Sequence, residues 1–276
     1  MYALIGHPLG HSMSPFIHKK LFEISKLNED YELFDIPSEN LEKDFLKAIS
    51  KYNGLNVTIP YKTSVISFMD KLAKSAEKYN AVNCISKENG KLVGHNTDCI
   101  GFLRSVSTEA LGGRFLLSGC GGVGRMMALE AAEKGAEITI AIIEISAKQA
   151  EILTEEINTK FPNVKVKTVL LNQIEGQFDL FANATPVGMY PNNEACPVSE
   201  EVIANCENIF DAIYNPNETV LVKTAKRLGK HAVGGMTMLV LQAAAAHEIW
   251  YGGSFNRQQT EKIVLEASEA VKNMFK

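Results

Sequence analysis

The sequence predicts a two-domain α/β protein with largely parallel sheets. Over the first hundred residues short apolar strands alternate with helical stretches, the pattern of βαβ units. The same alternation restarts near residue 113, and 276 residues exceed one ordinary domain of about 150.

Each element has its own signal. Tyr2–Gly6 (YALIG) reads as a strand, and Ser14-Pro15 opens a helix, with proline just inside the start where its missing N–H costs nothing. Phe16, Ile17, Leu21, Phe22 and Ile24 then recur at helical spacing. A strand at YELFDI leads to a helix that Ser38 is placed to cap, with Leu41, Phe45, Leu46 and Ile49 on one face. GLNVTIP at 54–60 is a third strand, ended by its proline. The restart brings the strand RFLLSG, a glycine-rich turn, a helix from about 125 to 134 and the strand EITIAII, ending at Glu144. Further strands read at KVKTVLL, FDLFANAT, NIFDAIY and HAVGG. An Ala-rich helix follows residue 236, and an amphipathic helix begins near 257.

Composition narrows the function classes. With 46% hydrophobic and 22% charged residues the chain has the makeup of a folded globular protein. A formal charge of -4 gives no electrostatic footprint for nucleic acid. No apolar run approaches the ~20 residues of a membrane helix, and MYALIGHPLGHS lacks the basic start and apolar stretch of a secretion signal. Cys84, Cys99, Cys120, Cys196 and Cys206 form an odd set without a CxxC pair, which suits a reducing cytoplasm. His7, His11, His18 and His95 have no metal-ligand spacing, and no metal is expected.

Gly119-Cys120-Gly121-Gly122-Val123-Gly124 follows an apolar strand and opens a helix, the context that gives a GxGxxG pattern its meaning. The first glycine permits the tight turn, the second lets backbone approach a pyrophosphate, and the third lets helix and strand pack closely. The helix N-terminus adds free N–H groups and partial positive charge for phosphates. Glu144 stands 20 residues beyond Gly124, where a dinucleotide site places an acid on the adenosine ribose. Its neighbours Ile142, Ile143 and Ile145 offer no basic group for a 2′-phosphate, so NAD is expected over NADP.

A second polar set lies outside that loop. Ser12 and Ser14 put two hydroxyls just before a helix, fit for a carboxylate or for simple capping. Asn56 and Thr58 alternate along one strand face, and Lys62 follows just past Pro60. Asn83 in AVNCI and Asn96-Thr97-Asp98 in GHNTD add polar turns. Together they supply donors and one Lys62/Asp98 candidate pair.

In this order GHPLGHSMSPFIH, NVTIPYK, AVN, GHNTD, GCGGVG, NATPVGM, YNP and GMTMLVLQAA resemble shikimate dehydrogenase over nearly the whole chain. The resemblance implies a substrate-binding catalytic domain from residues 1–101 plus 237–276 and a Rossmann-type dinucleotide-binding domain at 102–236. It implies reversible, nicotinamide-dependent reduction of 3-dehydroshikimate to shikimate on the way to chorismate and the aromatic amino acids. Position by position it makes Lys62 and Asp98 the catalytic pair and gives Ser12, Ser14 and Tyr214 the substrate carboxylate. Thr58, Asn83, Asp98 and Gln242 fall to the ring hydroxyls, Gly119 to Val123 to the phosphates, and Ala212, Gly235 and Met238 to the nicotinamide. A lysine beside a ketone oxygen stabilises developing negative charge and delivers a proton, and a neighbouring carboxylate orients the ammonium.

One segment departs from the family pattern. NADP-using members carry an Asn-Arg-Thr-type run after the second Rossmann strand, whereas this chain reads Ile143-Glu144-Ile145-Ser146-Ala147-Lys148, with Ser146 placed to cap the helix. That departure again points to NAD. Serine at both hydroxyl positions ranks shikimate above quinate. The alternatives are an NAD-dependent quinate/shikimate or aminoshikimate dehydrogenase, or a non-catalytic NAD-sensing protein, which would not need Lys62 and Asp98. The oligomeric state is left open, a homodimer included.

Overall fold

The computed structural model describes residues 1–10 and 12–274. His11, singled out within the HSMS run, lies outside the described residues. The chain divides into two compact units, Met1–Gly101 with Val240–Lys276, and Phe102–Leu239.

In chain order the first stretch contains β1 (Tyr2–Gly6), α1 (Ser14–Ser25), β2 (Tyr31–Asp35), α2 (Leu41–Lys51) and β3 (Gly54–Val57). It continues through β4 (Lys71–Leu72), α3 (Lys74–Tyr79), β5 (Cys84–Glu88), β6 (Lys91–His95) and α4 (Asp98–Leu103). The strands form one sheet in the order β2-β1-β3-β5-β6-β4. β1 pairs in parallel with β2 and β3, while β5 runs antiparallel to both β3 and β6. Position in the sheet explains composition: β1 and β3 are central and buried at every residue, whereas edge strand β2 is half-exposed. Ile5, Phe45, Tyr52, Leu55 and Val65 fill the core on one face, each large side chain contributing about 1.5–3 kcal/mol on burial.

The second unit contains α5 (Thr108–Leu111), β7 (Arg114–Ser118), α6 (Gly122–Glu133), β8 (Glu137–Ile142), α7 (Ala147–Lys160), β9 (Val166–Leu170) and β10 (Phe178–Asn183). α8 (Glu200–Ala204), β11 (Cys206–Asp211), α9 (Val220–Arg227) and β12 (His231–Gly234) complete its sheet, and α10 (Gly235–Tyr251) and α11 (Arg257–Met274) end the chain. The sheet order β12-β11-β10-β7-β8-β9 is parallel throughout. This is the doubly wound dinucleotide-binding order, in which the chain reverses direction between β7 and β10 and ligands sit at the carboxyl ends of those strands.

Several expected boundaries move. β3 stops at Val57, leaving Thr58 in the following turn, and α6 begins at Gly122 rather than near 125. β8 stops at Ile142, so Glu144 is not a strand end but opens a 3₁₀ turn, Glu144–Ser146. Neither expected serine cap forms. Ser38 opens a separate 3₁₀ turn, its hydroxyl 3.3 Å from Tyr61 Oη, and Ser146 precedes α7 without a side-chain cap bond. On α2, Leu41, Phe45 and Ile49 face the core while Leu46 is 62% exposed. The five cysteines are free thiols, and no helix among the described residues is long and apolar enough to cross a membrane.

Candidate active site

The first unit gathers its polar set at one sheet edge. The loops after β1 and β3 leave the same carboxyl edge because these strands are parallel neighbours. Antiparallel β5 begins there, and β6, reversed again, ends there. Val57 N–H donates to the Asn83 carbonyl at 2.8 Å, and Asn83 N–H to the His95 carbonyl at 3.0 Å, which brings 56–62, 83 and 95–98 side by side.

Lys62 Nζ donates to Asp98 Oδ2 at 2.7 Å, with the two side chains 28% and 17% exposed. The other carboxylate oxygen accepts from Asn83 Nδ2 at 2.9 Å. Asn83 is buried and fixed in turn, since its Oδ1 accepts the Thr97 N–H at 2.6 Å. The Thr97 hydroxyl accepts from Asn83 Nδ2 at 3.0 Å and donates to Gln242 Oε1 at 3.3 Å. Asn96 Oδ1 accepts the Asp98 N–H at 3.0 Å, so Asp98 opens α4 rather than lying in a free turn. Lys62, Asn83, Asp98 and Gln242, separated along the chain, therefore form one connected group. The bridging residue is Thr97, fully buried, which nothing but its place in GHNTD marks in the sequence.

Ser12 and Ser14 flank Met13 at the start of α1. Ser12 Oγ accepts the Ser14 N–H at 3.2 Å, and no side chain caps the helix from position 13. Beneath them, Tyr31 Oη donates to Asn56 Oδ1 at 2.8 Å, and Asn56 Nδ2 donates to the Asn83 carbonyl at 3.1 Å. Thr58 lies against β1, its methyl 2.4 Å from where a Cβ on Gly6 would stand.

In the second unit the loop between β7 and α6 has the form a pyrophosphate requires. Gly119 takes φ +100°, and a Cβ at Gly124 would stand 1.9 Å from the Gly119 carbonyl oxygen, so both positions need glycine. A Cβ at Gly121 or Gly122 would meet nothing within 4 Å, leaving the backbone open to a ligand. No side chain caps α6 at Gly121, and its first N–H groups lack intrahelical partners. Cys120 is half-buried, and burial pushes its thiol up. The residues fit a dinucleotide. Ala212 and Gly235 are in tight contact, because a Cβ on Gly235 would stand 2.2 Å from the Ala212 carbonyl oxygen. Met238 is buried; Tyr214 is half-buried and its phenol is pushed up by burial. Asn183, within NATPVGM, and Asp211 also end their strands at this edge, and the sequence alone does not single them out. Among the described residues no three His, Cys, Asp or Glu side chains group to hold a metal ion.

A family profile for the shikimate dehydrogenase substrate binding domain matches residues 4–85. The shikimate dehydrogenase (NADP(+)) of Caldanaerobacter subterraneus subsp. tengcongensis is 38% identical over 264 residues, 93% of each chain. The chain belongs to the shikimate dehydrogenase family. Membership makes it an oxidoreductase. The shikimate dehydrogenase (NADP(+)) of Methanocaldococcus jannaschii is likewise 38% identical, over 95% of each chain. A crystal structure of a shikimate dehydrogenase in complex with NADP+ aligns with TM-score 0.82 at 36% identity, covering 96% of this chain and 94% of that one.

These relatives overturn the expectation of NAD, since both curated enzymes are NADP(+) enzymes and the aligned structure holds NADP+. The physical reason lies in Glu144. The expectation needed its carboxylate fixed at a strand tip against the ribose, but the side chain is exposed on a turn two residues past β8. A solvated carboxylate there has no imposed position and is screened by water.

Proposed function

We propose that the protein interconverts 3-dehydroshikimate and shikimate with NADP(H), with residues 1–101 plus 237–276 binding substrate and 102–236 binding the dinucleotide. The observation that carries this reading is the Lys62–Asp98 pair, 2.7 Å apart and braced by Asn83. A surface lysine needs no such bracing; a lysine that must meet a ketone oxygen at a fixed point does.

When bound, NADPH supplies the hydride. Gly119, Cys120, Gly121, Gly122 and Val123 hold the pyrophosphate through backbone N–H groups, and Ala212, Gly235 and Met238 line the nicotinamide. Ser12 and Ser14 hold the substrate carboxylate, and Thr58, Asn83 and Gln242 address the ring hydroxyls. Lys62 steadies the negative charge that grows on the ketone oxygen and transfers a proton to it, so that the oxygen becomes a hydroxyl still bonded to its ring carbon. Asp98 holds the amine in place for the transfer through their 2.7 Å contact. In the reverse direction neutral Lys62 takes the hydroxyl proton.

The test is an absorbance assay of NADPH formation with shikimate, quinate and aminoshikimate. Shikimate is expected to turn over at least about tenfold more efficiently than the others, since a substrate hydroxyl or amine buried without a matching partner is costly. No NADPH from shikimate rejects the reading.

A further inference from the structure

Asp211 closes β11 with its side chain fully buried. Among the described residues its partners are three neutral donors: Oδ1 accepts from Asn183 Nδ2 at 3.0 Å and from the Ile213 N–H at 3.1 Å, and Oδ2 accepts from Thr219 Oγ1 at 2.6 Å. Burial pushes its carboxyl pKa up. A carboxylate taken out of water without a countercharge is expensive, and an apolar side chain would pack as well. What an apolar side chain would not do is tie three separate segments at the strand ends.

Each donor belongs to a different piece of the cofactor edge. Asn183 ends β10, and its Oδ1 accepts the Thr185 N–H at 3.1 Å and hydroxyl at 2.7 Å, setting the loop against which Gly119 packs. Thr219 caps α9, accepting the Val222 N–H at 3.3 Å. Ile213 is gripped from both sides, its N–H by Asp211 and its carbonyl by the Gly235 N–H at 3.0 Å. Asp211 thus holds the Ala212–Ile213 peptide through its N–H, and Gly235 holds the next peptide, Ile213–Tyr214, through its carbonyl.

We propose that Asp211 is a positioning residue that sets the Ala212–Ile213 turn to receive the nicotinamide half of the dinucleotide. The inference rests on the reading that Ala212 and Gly235 address that ring. The test is calorimetric affinity for NADP+ and for 2′,5′-ADP, which lacks the nicotinamide half. For Asp211→Ala the Kd for NADP+ is expected to rise about tenfold, with that for 2′,5′-ADP unchanged within about twofold. Asp211→Asn, which can still accept from Asn183 and Ile213, should recover most of the affinity. Equal weakening toward both ligands, or none toward NADP+, overturns the proposal. If Asp211→Ala does not fold, Thr219→Val decides, with an expected rise of about threefold for NADP+ alone and no change as the overturning result. Wild-type protein that binds 2′,5′-ADP but not NADP+ overturns the reading of the site itself, and the proposal with it.

Discussion

His247 Nε2 and His18 Nδ1 lie 3.0 Å apart in the first unit, both rings buried, with Tyr31 stacked on His18 at 3.9 Å between centroids. His18 Nε2 and His247 Nδ1 are buried and have no hydrogen-bond partner among the described residues. Burial lowers His18 well below its ordinary 6.5 and His247 to about 3, and each imidazolium would also repel the other. The pair is neutral in the folded protein.

That neutrality makes stability pH-dependent. Below pH 6.5 the unfolded chain takes up protons that the folded chain refuses, so the pair's contribution is complete above 6.5 and is lost as pH falls toward the folded value. The slope is about 1.4 kcal/mol per pH unit for each imidazole. Urea midpoints should fall between pH 7 and 5, and the double variant His18→Phe/His247→Leu should flatten that fall. An unchanged slope in the double variant refutes the assignment.

Lys62→Ala should lower kcat by about 10²–10⁴-fold with little change in the Michaelis constant for shikimate, the range for losing a positioned proton donor. Asn83 and Thr97 still brace Asp98 and Gln242 without the amine, so the binding groups stay in place. Steady-state kinetics with NADP+ in excess decide it. Near-normal turnover removes Lys62 from the chemistry.

Gly124→Ala places a methyl carbon 1.9 Å from the Gly119 carbonyl oxygen, and neither partner is a side chain that can swing away. α6 must therefore shift off β7, at a cost of about 1–3 kcal/mol for overpacking, and the phosphate loop moves with it. NADP+ affinity should fall at least about tenfold while circular dichroism still reports a folded chain. A variant that binds NADP+ as wild type does shows that the loop does not hold the phosphates.

The doubly wound unit was legible because its signals are local: β-type runs at a regular interval and glycines at a turn that sterics reserve for them. The first unit was less so. The β5–β6 hairpin turns at Asn89 and Gly90, both with positive φ, an Asn-Gly signal for a tight turn that the largely parallel pattern of the unit masks. Lys62 and Asp98 stand out by residue type, yet what joins them is the reversal of β5, which carries Asn83 to the edge where β3 ends. His18 and His247 are 229 residues apart and carry no local signal of their contact. β8 stops two residues short of Glu144, enough to turn a fixed ribose ligand into a solvated side chain.

That last shift can be tested directly. The Glu144 side chain is exposed at the head of its turn, as are Ile143 and Ile145. A carboxylate in water acts weakly beyond a Debye length of about 8 Å at physiological salt. Glu144→Gln should therefore change the Michaelis constant for NADP+ by less than about threefold at that ionic strength. A carboxylate held against a 2′-phosphate would behave otherwise, because two close negative charges repel by several times the value in bulk water. In that case the glutamine variant would bind NADP+ about tenfold or more tightly, and the gain would shrink as salt is raised. A large, salt-sensitive gain would place Glu144 back at the ribose; a small, salt-independent change leaves it in solvent.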